Sequence, residues 1–387
     1  MKTRRERFAA AAFIVCTVAL CMAAGLVASA LRRRAPSAPG AAPARFAWPA
    51  MGTVAAVVFA TPRDGRPLDG RERDAARETV QNVFSSLERE LSAWRADSGL
   101  AAVNASAGTG EGVAVPADTV RIYRAAADLA KNTSGAFNPL VGPVMRLYGF
   151  NGADGLSLPS PAAIAAVPFA WDGFSVDAAG RVHLRDKGMK LDLGAIAKGG
   201  AVDCAFDRVT NAFPGIEAVI DLGGNLRAIG EQATGSGGWE TAIRDPFSKG
   251  SEAARFVLRP GEAVATSGSY ERFRILDGKR VSHILDGRTG LPCTGFASCT
   301  VLAPTALQAD GLSTALFILG PEAGGKLLRR IAPSAFAAWI PDDPSRRRIV
   351  CGGRTAERLS RVADGWQTVI LPGIDAPPDV ENKENAP

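Results

Sequence analysis

Between residues 218 and 302 the chain reads as a succession of short strands broken by glycine-rich turns, with helical periodicity on either side. Strands are expected at 218–222, 226–229, 240–244, 254–258, 263–266 and 296–302. A parallel βαβ crossover needs a dozen or more residues, usually a helix, and most of these runs lie too close together for one. Strands clustered between helical regions point to an α+β fold with antiparallel or mixed sheets and packed helices.

The flanking helices have their own signals. Val80, Val83, Phe84, Leu87, Leu91 and Trp94 share one helical face and predict a helix over 74–94. Asp118 is a candidate N-cap for a second helix that stops near Gly135, and residues 196–213 suggest a third, fed by a hairpin within 182–194. Thr305-Ala306-Leu307-Gln308 is a capping-box pattern opening a helix to Leu319, followed by a helix at 322–331 and strands at 336–340 and near Ile349. A strand at 54–60, a surface excursion over 151–168 and a disordered tail from Pro372 complete this reading.

The run from Phe8 to Leu31 has 24 residues without a charge. As a helix it reaches about 36 Å, enough to cross a bilayer. Arg32 to Arg34 and the length favour a retained signal anchor, while Ala28-Ser29-Ala30 matches a signal-peptidase site, so cleavage stays open. Residues before Cys16 and Cys21 do not suit lipidation, and Arg4-Arg5 is a weak twin-arginine hint. The expected organisation is a signal anchor or signal peptide at 1–34, a Pro/Ala-rich tether at 35–45, one domain at 46–341 and a C-terminal extension at 342–387. The net charge of +6 resides in the leader, because removing the seven Lys or Arg and the single Glu of residues 1–34 leaves 38 basic and 38 acidic residues. A neutral folded part gives no reason to expect nucleic acid.

Three glycine-flanked runs concentrate the useful polar groups: 191–200, 282–292 and 309–314. Asp310 and Thr314 are four apart, which on a helix places a carboxylate and a hydroxyl on one face where both can touch a hard cation. The same spacing also suits a Thr bonded back to its own backbone and an Asp near a helix start. In Leu191-Asp192-Leu193-Gly194-Ala195-Ile196-Ala197-Lys198, an acid precedes a glycine turn and a lysine stands in the opening turn of a helix, a position that favours phosphate. The pattern is not a Walker loop, since the lysine precedes the glycines.

His283, one of two histidines, sits where a strand enters a turn and can serve as a general base or simply pin the turn. Trp94 and Phe137 are candidates to stack on a planar ring, or ordinary packing aromatics. Cys293 and Cys299 can close a small disulfide loop or remain buried thiols. Neither G-x-S-x-G nor a strand-to-helix G-x-G-x-x-G is present.

Taken in order, Met51-Gly52-Thr53, LSAWRADSGLAAVN, SGAFNPLVGPVMRLYGF, LDLGAIAKGGAVD, DLGGNLRAIG, AVATSGSYERF, SHILDGRTGLP and LQADGLSTALFILG resemble the ApbE family of FAD:protein FMN transferases over residues 46 to 341. The resemblance implies an exported enzyme that uses Mg2+, takes FAD, releases AMP and attaches FMN to a Thr or Ser of an acceptor flavoprotein. It implies a place at the bacterial inner membrane, with the catalytic domain facing the periplasm, or export as a soluble protein. By motif, Asp310, Thr314 and the Ala195 carbonyl resemble magnesium ligands, and Asp310 and His283 the catalytic pair. Met51, Trp94, Ala136, Phe137, Asn138, Asp192, Lys198 and Ile284 resemble FAD contacts. Gly200 stands where an aromatic is common, Asn138 where Asp is frequent, Lys198 where some members have Glu, and Ser313 where some carry another acid. A hydrolase giving free FMN and AMP, or a flavin binder without catalysis, are the alternatives.

Overall fold

The computed structural model describes residues 44–60, 70–150, 157–232, 236–353 and 358–371. The expected leader at 1–34, most of the tether and the tail from Pro372 lie outside them. Among the described residues no helix is long and apolar enough to cross a membrane.

The main sheet has nine strands: β1 (Ala44–Ala50), β2 (Thr53–Phe59), β3 (Ala218–Leu222), β4 (Asn225–Ile229), β5 (Ala263–Gly268), β6 (Phe296–Ala303), β7 (Phe336–Pro341), β8 (Arg348–Gly353) and β9 (Gln367–Ile370). They neighbour one another in chain order, and every pair is antiparallel except the parallel β8–β9. The α+β expectation holds. Two boundaries differ from it. The tether reading ended at 45, but the chain is already paired at Ala44, in an edge strand where Pro49 is tolerated. The domain reading ended at 341, but β8 and β9 extend the same sheet.

Side chains alternate across the sheet with the period of two that strands impose. Ala263, Ala265, Cys299, Val301, Ala337 and Trp339 enter one core, and Val264, Leu302, Phe336, Ala338 and Ile340 enter a second. The first core is covered by helices α1 (Gly70–Leu91), α3 (Ala117–Asn132), α6 (Ala197–Ala212) and α7 (Ala306–Ile331). The second is covered by a three-stranded sheet of Trp239–Arg244, Glu252–Leu258 and Leu359–Val362. Because both faces are buried, nearly all of β6 is buried. Of the predicted stripe, Val80, Phe84, Leu87 and Leu91 are buried in the first core, each contributing about 1.5–3 kcal/mol by burial, and Val83 is partly buried, but α1 ends at Leu91 and Trp94 lies beyond it, exposed. The remaining helices are short: α2 (Gly99–Ala105), α4 (Gly142–Leu147) and α5 (Pro161–Ala165), the last lying inside the expected excursion.

α7 breaks where the sequence suggested, at Gly320, whose φ of 69° takes it out of the helix just before Pro321. α3 starts two residues early, with Pro116 instead of Asp118 at the cap position, and Asp118 accepts from Arg208 in the first turn. All four described cysteines are free thiols, so the Cys293–Cys299 disulfide does not form. Cys299 is fully buried in β6, and burial pushes the Cys293 thiol up to about 12.

Candidate active site

The N-termini of α6 and α7 lie against each other. Gly199 makes this possible, since a Cβ there would stand 2.1 Å from the Ala306 carbonyl oxygen. α6 has no side-chain cap of its own, and its Gly199 amide is given to Asp310 Oδ2 of α7 at 2.8 Å. In return Asp203 of α6 accepts the Ala306 and Leu307 amides at 2.8 and 2.9 Å, beside the Thr305 cap on Gln308. Asp203 also holds Arg227 at 2.8 Å, and burial outweighs that cation in pushing its carboxyl above the usual range.

Asp310 is therefore a buried carboxylate whose Oδ2 is fixed by an amide and whose Oδ1 faces Lys198 Nζ at 3.7 Å. Lys198 Nζ also donates to the Gly194 carbonyl at 3.1 Å. The amide that helical spacing would return to the Ala195 carbonyl is that of Gly199, which is turned to Asp310 instead. One turn along α7, Thr314 Oγ1 and Ser313 Oγ each lie 2.8 Å from Ser267 Oγ on β5. The donors gathered here are a carboxylate, a hydroxyl and backbone carbonyl oxygen, the set a hard cation prefers. Among the described residues no three His, Cys, Asp or Glu side chains are placed to hold a metal. A cation here would complete its shell with phosphate and water, as magnesium does. The residues present fit such an ion.

A second group adjoins Lys198. Residues 273–276 and 279–282 form a hairpin packed through Leu276 and Val281 on Tyr148 and Phe150. His283 follows it, its backbone amide and Nδ1 both against the Arg272 carbonyl, at 3.2 and 2.9 Å. A carbonyl only accepts, so Nδ1 carries the proton and Nε2 is left as an acceptor. His283 is only partly covered from solvent yet ringed by protein. Burial, with Arg272 and Lys198, pushes it down to about 4, partly opposed by its Arg272 carbonyl bond and by Asp192. The Arg272 guanidinium lies 5.3 Å from the Trp94 ring centroid and 5.7 Å from that of Phe150, and bonds the Phe150 carbonyl. Asp192, Lys198, Arg272 and His283 thus share one electrostatic field, with Trp94, 57% exposed, at its rim.

The other expected contacts divide. Asp192 lies in a loop, with its amide on the Pro139 carbonyl and Oδ1 accepting the Gly194 amide at 2.8 Å. Met51 occupies the left-handed region (φ 48°) in the β1–β2 turn, its amide on Glu88 Oε2 at 3.1 Å. Ile284 is buried, and its carbonyl accepts the Cys293 amide. Ala136 and Phe137 are core side chains, so of the two aromatics read as stacking platforms only Trp94 offers an open face. Asn138 donates through Nδ2 to the Phe169 and Gly287 carbonyls at 2.7 and 3.0 Å and accepts the Leu140 amide, clamping the 282–292 turn to the 135–138 turn. An Asp could not make those two donations. An open cleft of about 410 Å³ on this side, lined by Phe169, Trp171, Met189 and Arg288 among others, holds none of the predicted site side chains. Gly200 is closed off by α3, since a Cβ there would meet Ile122 at 2.5 Å.

Sequence reading missed Ser267, Arg272, Asp203 and Glu88. Ser267 and Arg272 lie in the AVATSGSYERF run, but their partners are on other elements and no local spacing exposes them.

Residues 51–339 match the ApbE family. The chain is 38% identical over 309 residues to the FAD:protein FMN transferase of Treponema pallidum, covering 76% of this chain and 83% of that protein. It is 34% identical over 301 residues to the FAD:protein FMN transferase of Rhodobacter capsulatus, covering 77% of this chain and 55% of that protein. Its fold superposes on the ApbE protein of Thermotoga maritima with a TM-score of 0.68 at 30% identity, over 78% of this chain and 94% of that one. The chain belongs to the ApbE family.

Proposed function

We propose that this chain is an FAD:protein FMN transferase that uses Mg2+ and delivers FMN to a Thr or Ser hydroxyl of an exported acceptor flavoprotein, releasing AMP. The observation that carries the reading is the junction at Lys198, where the Asp310–Thr314 oxygen donors meet the cleft of His283, Arg272 and Asp192. Membership in a family whose relatives carry that activity in their names supports it.

Asp310, Thr314 and the Ala195 carbonyl would hold the magnesium ion, which when bound supplies positive charge to the diphosphate. The neutral His283 takes the acceptor hydroxyl proton on Nε2. The hydroxyl oxygen forms the new bond to the FMN phosphorus as the bridging oxygen departs with AMP. Lys198 and the N-terminus of α6 face the charge that develops on the leaving phosphate. Trp94 offers an aromatic face at the cleft rim, and Asn138 and Ile284 hold the 282–292 turn in place. The apolar run at 8–31 supports attachment to the bacterial inner membrane, and the four basic residues ahead of it (Lys2, Arg4, Arg5, Arg7) against three behind (Arg32, Arg33, Arg34) favour the domain outside the cytoplasm.

Chromatography of a reaction with FAD, Mg2+ and acceptor tests the reading. AMP should appear in step with acceptor-bound FMN; free FMN at the same rate without acceptor would make the chain a hydrolase instead.

A further inference from the structure

The hydroxyl cluster behind the cation donors has a direction that proton counting resolves. Each hydroxyl carries one proton and two lone pairs. Ser313 Oγ donates to the Asp310 carbonyl at 2.8 Å. Its proton is therefore committed, and at its 2.8 Å contact with Ser267 Oγ it accepts. That places the Ser267 proton on Ser313, so at its 2.8 Å contact with Thr314 Oγ1 Ser267 accepts in turn. Thr314 is the donor. Its proton points at Ser267, and the rest of its oxygen carries lone pairs only.

The fold enforces this order. Ser267 has the same parity on β5 as Ala263 and Ala265, which face the helices, so the strand period aims it at α7. Ser313 is fully buried. The relay ends on the carbonyl of Asp310, the residue that also supplies the carboxylate, so one turn of α7 sets both donors.

We infer that Ser267 is a positioning residue for the cation: it takes the Thr314 proton and leaves Thr314 Oγ1 as a pure acceptor. Without it the Thr314 proton loses the acceptor that turns it away from the cation position, and each orientation toward that position competes with the ion. This rests on the proposed reading of Asp310 and Thr314 as a metal pair. Ser267 itself need not touch the ion, and outer partners of this kind typically change metal affinity by about 10–100-fold.

The test is Mn2+ binding to the purified chain followed by electron paramagnetic resonance, with thermal unfolding of the metal-free protein as a fold control. Ser267→Ala should weaken Mn2+ about tenfold, while Ser267→Thr, which keeps the hydroxyl, should bind within about twofold of wild type. Ser313→Ala removes the acceptor for the Ser267 proton, freeing it to turn on Thr314, and should weaken Mn2+ in the same direction. FAD binding without metal should be unchanged in all three. Wild-type Mn2+ affinity in Ser267→Ala, or an equal loss in Ser267→Thr, overturns the inference. If Asp310→Asn leaves the wild-type Mn2+ signal unchanged, the metal-pair reading itself fails.

Discussion

Asp203 and Asp310 cap each other's helices: the carboxylate of Asp203, on α6, takes the first amides of α7, and that of Asp310, on α7, takes the Gly199 amide of α6. Helix starts leave amides without intrahelical partners, and a carboxylate there also meets the positive end of the helix. The exchange fixes Asp310 by one oxygen and turns the other toward Lys198. A buried carboxylate is thereby held as a preset donor.

Replacing Asp310 separates its two duties. Asp310→Asn keeps an acceptor for the Gly199 amide and loses the charge, so it should fold normally while transfer falls by about 10²–10³-fold. Asp310→Ala should lose activity equally and also stability, by about 1–3 kcal/mol for the stranded amide. Urea denaturation beside the transfer rate checks both. Near-normal transfer by Asp310→Asn would remove its cation role.

Gly199 is a packing requirement. Ala at 199 would put its Cβ 2.1 Å from the Ala306 carbonyl oxygen. The helices must separate, costing about 1–3 kcal/mol and loosening the Asp310 contact. A lowered melting temperature with weakened metal dependence is expected, and an unchanged melting temperature would contradict the close approach.

His283 sets a pH signature. Held down to about 4, it is neutral at physiological pH. The acidic limb of kcat/KM should therefore fall near 4, not near the ordinary 6.5, and His283→Ala should lower kcat by about 10²–10⁴-fold with little change in FAD binding. For stability the sign is fixed: an unfolded histidine takes a proton near 6.5 and the folded one only near 4. Between those values the unfolded state binds more protons, so stability falls as pH drops through that window. A wild-type limb at 6.5 would contradict an imidazole held neutral beside Arg272 and Lys198.

Lys198 places an ammonium 3.7 Å from Asp310 Oδ1. It serves phosphate but opposes a metal ion in the free protein. Lys198→Gln should bind Mg2+ alone more tightly, on the order of tenfold, and cleave FAD more slowly. Calorimetry of Mg2+ binding checks the first part; weaker Mg2+ binding in Lys198→Gln would show the lysine is no competitor.

Much of the site was legible because its members share single elements. Asp310 and Thr314 are paired by helical period, and Gly320-Pro321 marks its own break. Lys198 follows a glycine turn that opens a helix. What escaped depends on contacts between distant segments. Asp203 reads as one more helix acid until α7 docks on it, and Ser267 as one more strand serine until α7 lies over β5. Asn138 and Phe137 sit in a turn with the composition of a ligand loop, yet one clamps the neighbouring turn and the other fills the core. β1 was hidden because its Ala and Pro content resembles a tether, and only pairing with β2 reveals it.

The most direct measurement is the intact mass of an acceptor flavoprotein domain after incubation with the purified chain, FAD and Mg2+. The account predicts one added FMN, lost when the acceptor Thr or Ser is replaced by Ala, when Mg2+ is chelated, or in Asp310→Asn. An acceptor whose mass is unchanged under full conditions, with the enzyme folded and FAD bound, would contradict it.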